Sequence, residues 1–414
     1  MAIMSTPILI AGVGMVPFVK PGPSETYDVM AAGAIRAALN DARLDYFLID
    51  QAIAGYVYAD SCAGERALYR VGMTGISLTN VNNRCASGAT ALYHARQAVL
   101  SGETECALAF GFEEMHDGTP ERAFPALGDP LAAWHGGEDM ASVCFSHSQQ
   151  QFALQTQWLK QEIGVTDETF ARVAMKARHH ARNNPNAIYQ DPLTIEELLA
   201  APSSFNGSHP SYLCQPASGA AAVIICSARF AARHGSRTDV AILAHVMGSD
   251  VGSDAGNDNS SERSGITGAD GGAGSEPPNL PDFLGKAITA RVAQLAYERA
   301  GAGPADIDIA ELHDCSVANE LISYASLGFC GEGDIDRFVL SGNNTYGGTM
   351  VVCPSGGLLS MGHPPGATGL AQVVELTWQL RDRAGDRQVE GARTALQHNS
   401  SLGSAVSVAI LQSR

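Results

Sequence analysis

The sequence predicts an α/β protein made of two similar halves, and three internal matches in the same order along the chain predict it. An amphipathic helix pattern carrying Ala34, Ala38 and Ala42 leads through Ile49-Asp50 into the apolar run Ala52 to Val57. A second pattern carrying Val292, Ala296 and Ala300 leads through Ile307-Asp308 into the run ending at Leu312. The triplet Gly88-Ala89-Thr90 recurs as Gly366-Ala367-Thr368, each opening a helix with apolar residues at three-to-four spacing: Leu92 and Val99 in one, Leu370, Val374 and Leu380 in the other. The strand-like run Ala220 to Ile225 recurs as Ala405 to Ile410. Alternation of helix and strand predicts a mainly parallel sheet covered by helices in each half, with function at the strand-to-helix turns.

The order of elements sets the boundaries. Residues 1–118 begin the N-terminal half. Residues 119–205, polar and Pro-punctuated, with helix signals over Ser148 to Gly164 and Asp167 to Asn183, form an inserted loop domain. Residues 206–248 return to the first half. Residues 249–281 are a Gly-, Ser- and Asp-rich segment with almost no apolar residue, expected as a flexible linker. Residues 282–414 form the C-terminal half.

Composition narrows the class. The chain has 414 residues, 45% hydrophobic and 17% charged, as expected of a soluble globular protein. Its formal net charge of -17 argues against nucleic acid or an anionic membrane as the main partner. The longest uncharged apolar stretch, Pro7 to Val19, is too short to span a bilayer and follows no basic segment, so the expected compartment is the cytoplasm. Nine cysteines, an odd number without a C-x-x-C pair, fit a reducing compartment better than a disulfide framework.

Three residues before each Gly-Ala-Thr stands a chemically capable side chain, Cys85 in the first copy and His363 in the second. A pseudo-twofold arrangement of the halves brings these two helix starts to one cleft. Cys85 at a helix start feels the positive end of the helix dipole, which favours a thiolate and marks it as the candidate nucleophile. His363, among glycines and prolines, is the candidate base. His313-Asp314-Cys315 follows the apolar strand ending at Leu312, the end of a strand where α/β sites collect. No spacing completes a zinc set, so no metal is expected. His135, Cys144, His147, His179 and His180, with Cys62, Cys106, Cys214, Cys226, Cys330 and Cys353, read as structural or surface residues. The glycines at 265–274 follow no strand and open no helix, which fails the context test for a dinucleotide or phosphate loop.

The runs Val81-Asn82-Asn83-Arg84-Cys85-Ala86-Ser87-Gly88, Glu311-Leu312-His313-Asp314-Cys315, Asn344-Thr345-Tyr346-Gly347-Gly348, Gly362-His363-Pro364 and Gln397-His398-Asn399 together resemble the thiolase superfamily, most closely its sterol carrier protein type without the C-terminal lipid-carrier domain. The resemblance implies a five-layered α-β-α-β-α fold of two similar halves with an inserted loop domain, as a homodimer or homotetramer. It implies cleavage of a 3-oxoacyl-CoA by CoA, in fatty-acid or sterol side-chain breakdown, with no tightly bound cofactor. By the same resemblance Cys85 is acylated, His363 activates it, Cys315 exchanges the C2 proton, and His313 with His363 polarises the thioester oxygen. Backbone N–H groups of Cys85 and Ser401 form an oxyanion site, and Tyr346, Met361 and Gly362 contact substrate. Ser218, Ser316, Met361, Ser401 and Ser404 depart from the family pattern. Two other readings share the motifs: a retro-aldolase on a steroid side-chain acyl-CoA with an OB-fold partner, using Tyr346 and Tyr297 as acid/base groups, and a non-catalytic acyl-CoA or lipid-binding protein.

Overall fold

A computed structural model describes residues 7–22, 24–116, 152–200, 210–249, 285–401 and 405–414. The strands are β1 (Ile8–Met15), β2 (Gln51–Gly55), β3 (Ser77–Val81), β4 (Cys106–Glu113), β5 (Gly219–Cys226), β6 (Val240–Gly248), β7 (Ile309–Glu311), β8 (Val351–Val352), β9 (Thr394–Ser401) and β10 (Ala405–Ser413). They form one sheet in the order β3-β2-β4-β5-β1-β6-β10-β9-β7-β8. Read outward from the centre, the two sides are β1-β5-β4-β2-β3 and β6-β10-β9-β7-β8, so each strand of the first set has a counterpart in the second. The matched runs Ala220 to Ile225 and Ala405 to Ile410 are the counterparts β5 and β10. Val240–Gly248, grouped by the sequence reading with the first half, occupies the position that mirrors β1.

The expectation of mainly parallel halves is corrected. Within each set the three outer strands run parallel, while β4-β5, β5-β1, β9-β10 and β10-β6 are antiparallel. Helix-strand alternation implies parallel pairing only where the helix is a crossover between neighbours, and β4 reaches β5 through the long insertion instead. Glu113, the last residue of β4, pairs with Gly219, the first of β5, so the chain between them leaves the sheet and returns at one point. At the centre, among the described residues, β1 and β6 meet over two residue pairs, Ile8 with Ile242 and Leu9 with Ala241.

The helices are α1 (Tyr27–Ala42), α2 (Ala63–Tyr69), α3 (Ser87–Ser101), α4 (Asp167–Ala181), α5 (Ile195–Ala200), α6 (Ala228–His234), α7 (Lys286–Ala300), α8 (Val317–Ser326), α9 (Ile335–Leu340), α10 (Gly357–Ser360) and α11 (Pro365–Leu380). Of α11, every residue but Trp378 is buried, as an inner layer requires. It packs on β4, β5 and β9 and crosses α3. The crossing is backbone on backbone: a Cβ on Gly88 would stand 2.7 Å from the Gly366 carbonyl oxygen, and one on Gly369 would stand 2.5 Å from the Ala89 nitrogen. Gly88 and Gly369 let the two helix starts touch, while Gly366 lets the second lie against the backbone of Gly55 and Phe112.

The described part of the insertion includes α4, two residues shorter than the sequence signal, and a helical stretch over 152–158 that ends in a π-type turn, Leu159–Ile163. Lys176 of α4 forms a buried ion pair with Glu320 of α8, which also accepts from Tyr324. Losing either partner strands a buried charge, so the pair pins the insertion to the C-terminal half. The expected linker lies almost wholly outside the described residues, as do His135, Cys144, His147 and Ser404. No described helix is long and apolar enough to cross a membrane.

Candidate active site

The turn before α3 is fixed by short-range polar contacts. Arg84 takes a left-handed φ of 49°. Asn83 accepts the Ala86 N–H at its carbonyl and donates its backbone N–H to Ser87 Oγ at 2.9 Å and its side-chain amide to Thr90 Oγ1 at 3.0 Å, while the Thr90 hydroxyl donates to the Ala86 carbonyl. Cys85 is left partly buried at the helix start. The dipole argument from sequence predicts a favoured thiolate. Burial outweighs it and, with the Glu113 carboxylate adding to the effect and Arg84 opposing it, pushes the thiol up to about 11.

The turn before α11 repeats the device with a different client. Thr368 donates its hydroxyl to the Pro364 carbonyl at 2.9 Å, as Thr90 does to Ala86, so its oxygen is an acceptor for the His363 Nδ1–H at 2.8 Å. That assignment leaves Nε2 of His363 as a bare lone pair, and Nε2 is buried without a partner among the described residues. Burial pushes the imidazole down to about 3, so it stays neutral, with its lone pair unprotonated, through the neutral range. Gly362, with φ of +106°, has no room for a side chain, since a Cβ would meet Ala217 at 2.9 Å and Ile188 at 3.1 Å.

His313 and Cys315 follow β7. The Asn399 amide lies 3.1 Å from His313 Nδ1; with the amide donating, the ring proton sits on Nε2. Asn319 donates to the His313 carbonyl at 2.6 Å and Ser316 caps α8 by accepting the Asn319 N–H at 3.0 Å. Ser316, one departure from the family pattern, is therefore a helix cap. Burial holds His313 well below its ordinary value, and burial with two neighbouring thiols, Cys214 and Cys85, holds Cys315 well above its own.

The three elements converge. Cys85 Sγ and one ring nitrogen each of His313 and His363 lie within 4.8 Å of one another, and the two rings meet edge to face at 5.3 Å. The pair comprises one imidazole that accepts a proton and one that donates a hydrogen bond, arranged around a thiol. The fold thus gathers one thiol and two imidazoles at distances where a metal could be held; the sequence repeat signals the meeting of Cys85 with His363, and nothing in the spacing adds His313 to them.

The remaining candidates divide. Ser401, at the end of β9, is buried with its hydroxyl unpartnered among the described residues. Met361 is buried in the apolar core, and its carbonyl accepts the Ile188 N–H. Tyr346 donates its hydroxyl to the Arg387 carbonyl at 2.7 Å and stacks edge-on with His180. Tyr297 donates to the Leu327 carbonyl at 2.9 Å. Both tyrosine hydroxyls serve backbone carbonyls rather than the thiol-imidazole group. Ser218 both accepts from Met115 N–H and donates to its carbonyl, a double task that an ionised Asp could not perform. Among residues read as structural, His180 is one, bonded to the Cys353 carbonyl and Thr345. Cys214 is not remote: its N–H donates to the Cys315 carbonyl at 2.9 Å, and the next residue, Gln215, accepts the His363 N–H at 3.0 Å. Nothing in the spacing of Cys214 signals this, whereas Thr368 stands in the repeat itself.

A fold of two mirrored strand sets, with a cysteine and a histidine delivered by symmetry-related helix starts, defines the thiolase class. Residues 8–198 match the thiolase N-terminal domain and residues 276–413 the thiolase C-terminal domain-like family, and the chain belongs to the thiolase family. It is 40% identical over 416 residues to sterol carrier protein 2 of Homo sapiens, covering 97% of this chain and 71% of that protein. Among solved structures, the Ltp2-ChsH2(DUF35) aldolase superposes with a TM-score of 0.76 at 24% identity over 99% of both chains. Human mitochondrial 3-ketoacyl-CoA thiolase in complex with CoA superposes with a TM-score of 0.71 at 18% identity over 99% of this chain and 98% of that one. These structural likenesses show the fold.

Proposed function

We propose that the protein is an acyltransferase that cleaves a 3-oxoacyl-CoA with CoA through an acyl-enzyme on Cys85. The observation that carries this reading is the grouping of Cys85 with two buried histidines, whose hydrogen-bond partners assign their ring protons to opposite nitrogens. His363 Nε2 takes the thiol proton as sulfur attacks the keto carbon. The C2–C3 bond breaks, and the electron pair moves onto the thioester as an enolate that His313 Nε2–H stabilises. Cys315 protonates C2, releasing acetyl-CoA or propanoyl-CoA. The second CoA gives its thiol proton to the Cys315 thiolate and attacks the Cys85 thioester, and the departing Cys85 sulfur takes its proton back from His363, which regenerates the enzyme, so the kinetics are ping-pong. Cys85 and Ser401 backbone N–H groups serve the tetrahedral oxyanion.

The substrate's phosphates call for a local positive patch on a chain of net charge -17. Lys20 and Arg178, the latter from the insertion, lie 4.4 and 4.1 Å from the Tyr189 ring centroid, and Tyr189 N–H bonds the Ser360 carbonyl, three residues before His363. This pair is our assignment for the phosphates. Assembly as a homodimer or homotetramer is supported by β3, an edge strand whose outer side no described strand covers.

Intact-protein mass spectrometry with peptide mapping, after mixing enzyme with a 3-oxoacyl-CoA and no free CoA, tests the reading. An acyl adduct on Cys85 is expected. Cleavage without an adduct moves the assignment to a retro-aldolase with an OB-fold partner, and binding without cleavage to a carrier.

A further inference from the structure

Glu113 ends β4 and is 1% exposed. Its carboxylate accepts the Tyr58 N–H at 2.9 Å and the Val57 N–H at 3.2 Å, both just beyond β2, and the Gly366 N–H at 3.0 Å. Gly366 is the second residue of α11, a helix with no side-chain cap of its own, so a residue 253 positions away in sequence caps it. Burial pushes the Glu113 carboxyl up to about 7 against the helix N-terminus and the three N–H donors, which favour the ionised form, so it carries its charge above neutral pH. Around this carboxylate the backbones are in contact: a Cβ on Gly366 would lie 2.7 Å from the Gly55 carbonyl oxygen, just as one on Gly88 would meet the Gly366 carbonyl. His363 precedes Gly366 by three residues and Cys85 precedes Gly88 by three. The charged groups acting on Cys85 are Glu113 and Arg84, of opposite sign; the thiols of Cys214 and Cys315 also face it, and His313 and His363 are neutral.

We propose that Glu113 is a positioning residue for acyl transfer, holding the start of the His363 helix at a fixed distance from Cys85 while its negative charge adds to the burial that keeps the resting Cys85 protonated. The proposal rests on the acyl-transfer reading above. It assigns one carboxylate two effects that separate by experiment, one on geometry and one on charge. Raising a thiol is useful here, because a resting thiolate would react with any electrophile, whereas a thiol that ionises only onto His363 reacts with the substrate in place.

The test compares Glu113→Gln, which removes the charge, with Glu113→Asp, which keeps it on a side chain one methylene shorter. Iodoacetamide labelling of Cys85, followed by peptide mass across pH, reads the charge. The Gln variant is expected to label about ten-fold faster at pH 8, a shift of about one unit in the labelling midpoint; the Asp variant keeps the wild-type profile. Single-turnover acylation reads the geometry, and both variants are expected to be about ten-fold slower or more with KM within about two-fold of wild type. Should the Gln variant fail to fold, slower acylation by the Asp variant with an unchanged labelling profile supports the proposal, and acylation at the wild-type rate overturns it. An unchanged labelling profile in a folded Gln variant overturns it as well. Absence of any Cys85 adduct in the wild type would instead defeat the acyl-transfer reading.

Discussion

The starts of α3 and α11 are two copies of one construction that have been given different work. In both, a Gly-Ala-Thr triplet opens the helix, the threonine hydroxyl donates to a carbonyl one turn back, and its oxygen receives a side-chain N–H. In the first copy that N–H comes from Asn83 and stabilises the turn carrying the thiol. In the second it comes from His363 and fixes which ring nitrogen keeps a lone pair. The difference shows that a duplicated turn supplies a nucleophile and its base by exchanging one residue in each copy, with the supporting hydroxyl left in place.

Breaking the two copies separately should give unequal losses. Cys85→Ala removes the only group that forms the acyl adduct, and thiolysis is expected to fall about 10⁴-fold or more, read in a coupled assay with the adduct absent by mass. His363→Ala leaves the thiol and is expected to cost about 10²- to 10⁴-fold in kcat. Thr368→Val and Thr90→Val sharpen the contrast. Losing the Thr368 oxygen frees the His363 proton to move to Nε2, with kcat expected to fall about ten- to hundred-fold at unchanged KM. Losing the Thr90 oxygen should appear mainly as about 1 kcal/mol of stability in chemical denaturation.

The smallest effect concerns pH. Because His363 is held down to about 3, its neutral form persists at pH 5 and above, and kcat should show no acid limb near pH 6.5 from this group. Cys85, pushed up to about 11, should label with iodoacetamide at a rate still rising beyond pH 9. A plateau below pH 7 would mean a preformed thiolate-imidazolium pair and would remove the asymmetry between the copies.

The repeat is the part of the site that was legible in sequence. Matching triplets placed Cys85 and His363 at equivalent helix starts, and the apolar run ending at Leu312 placed His313 and Cys315 at a strand end, because these arguments need only local periodicity. Glu113 and Cys214 were not legible. Glu113 acts on Gly366, and Cys214 meets Cys315 only where two distant segments cross, so neither carries a local pattern. The direction of the central strands was also hidden, since antiparallel pairing follows from where the insertion leaves and rejoins the sheet.

Among the described residues the two strand sets pair through just two residue pairs of β1 and β6, whereas β6 and β10 are paired from Val406 with Gly248 to Ser413 with Val240. Arg381, its side chain buried, reinforces that seam by reaching Asp41, Asp239 and the Ile10 carbonyl. The nucleophile belongs to one set and the base to the other, joined by the contact between α3 and α11, and the order of failure under stress follows. Urea should silence turnover at concentrations where the far-ultraviolet circular dichroism is still native, and dilution should restore it. The catalyst is in effect a strain gauge for its own midline, reporting slippage between the halves before either half has come apart.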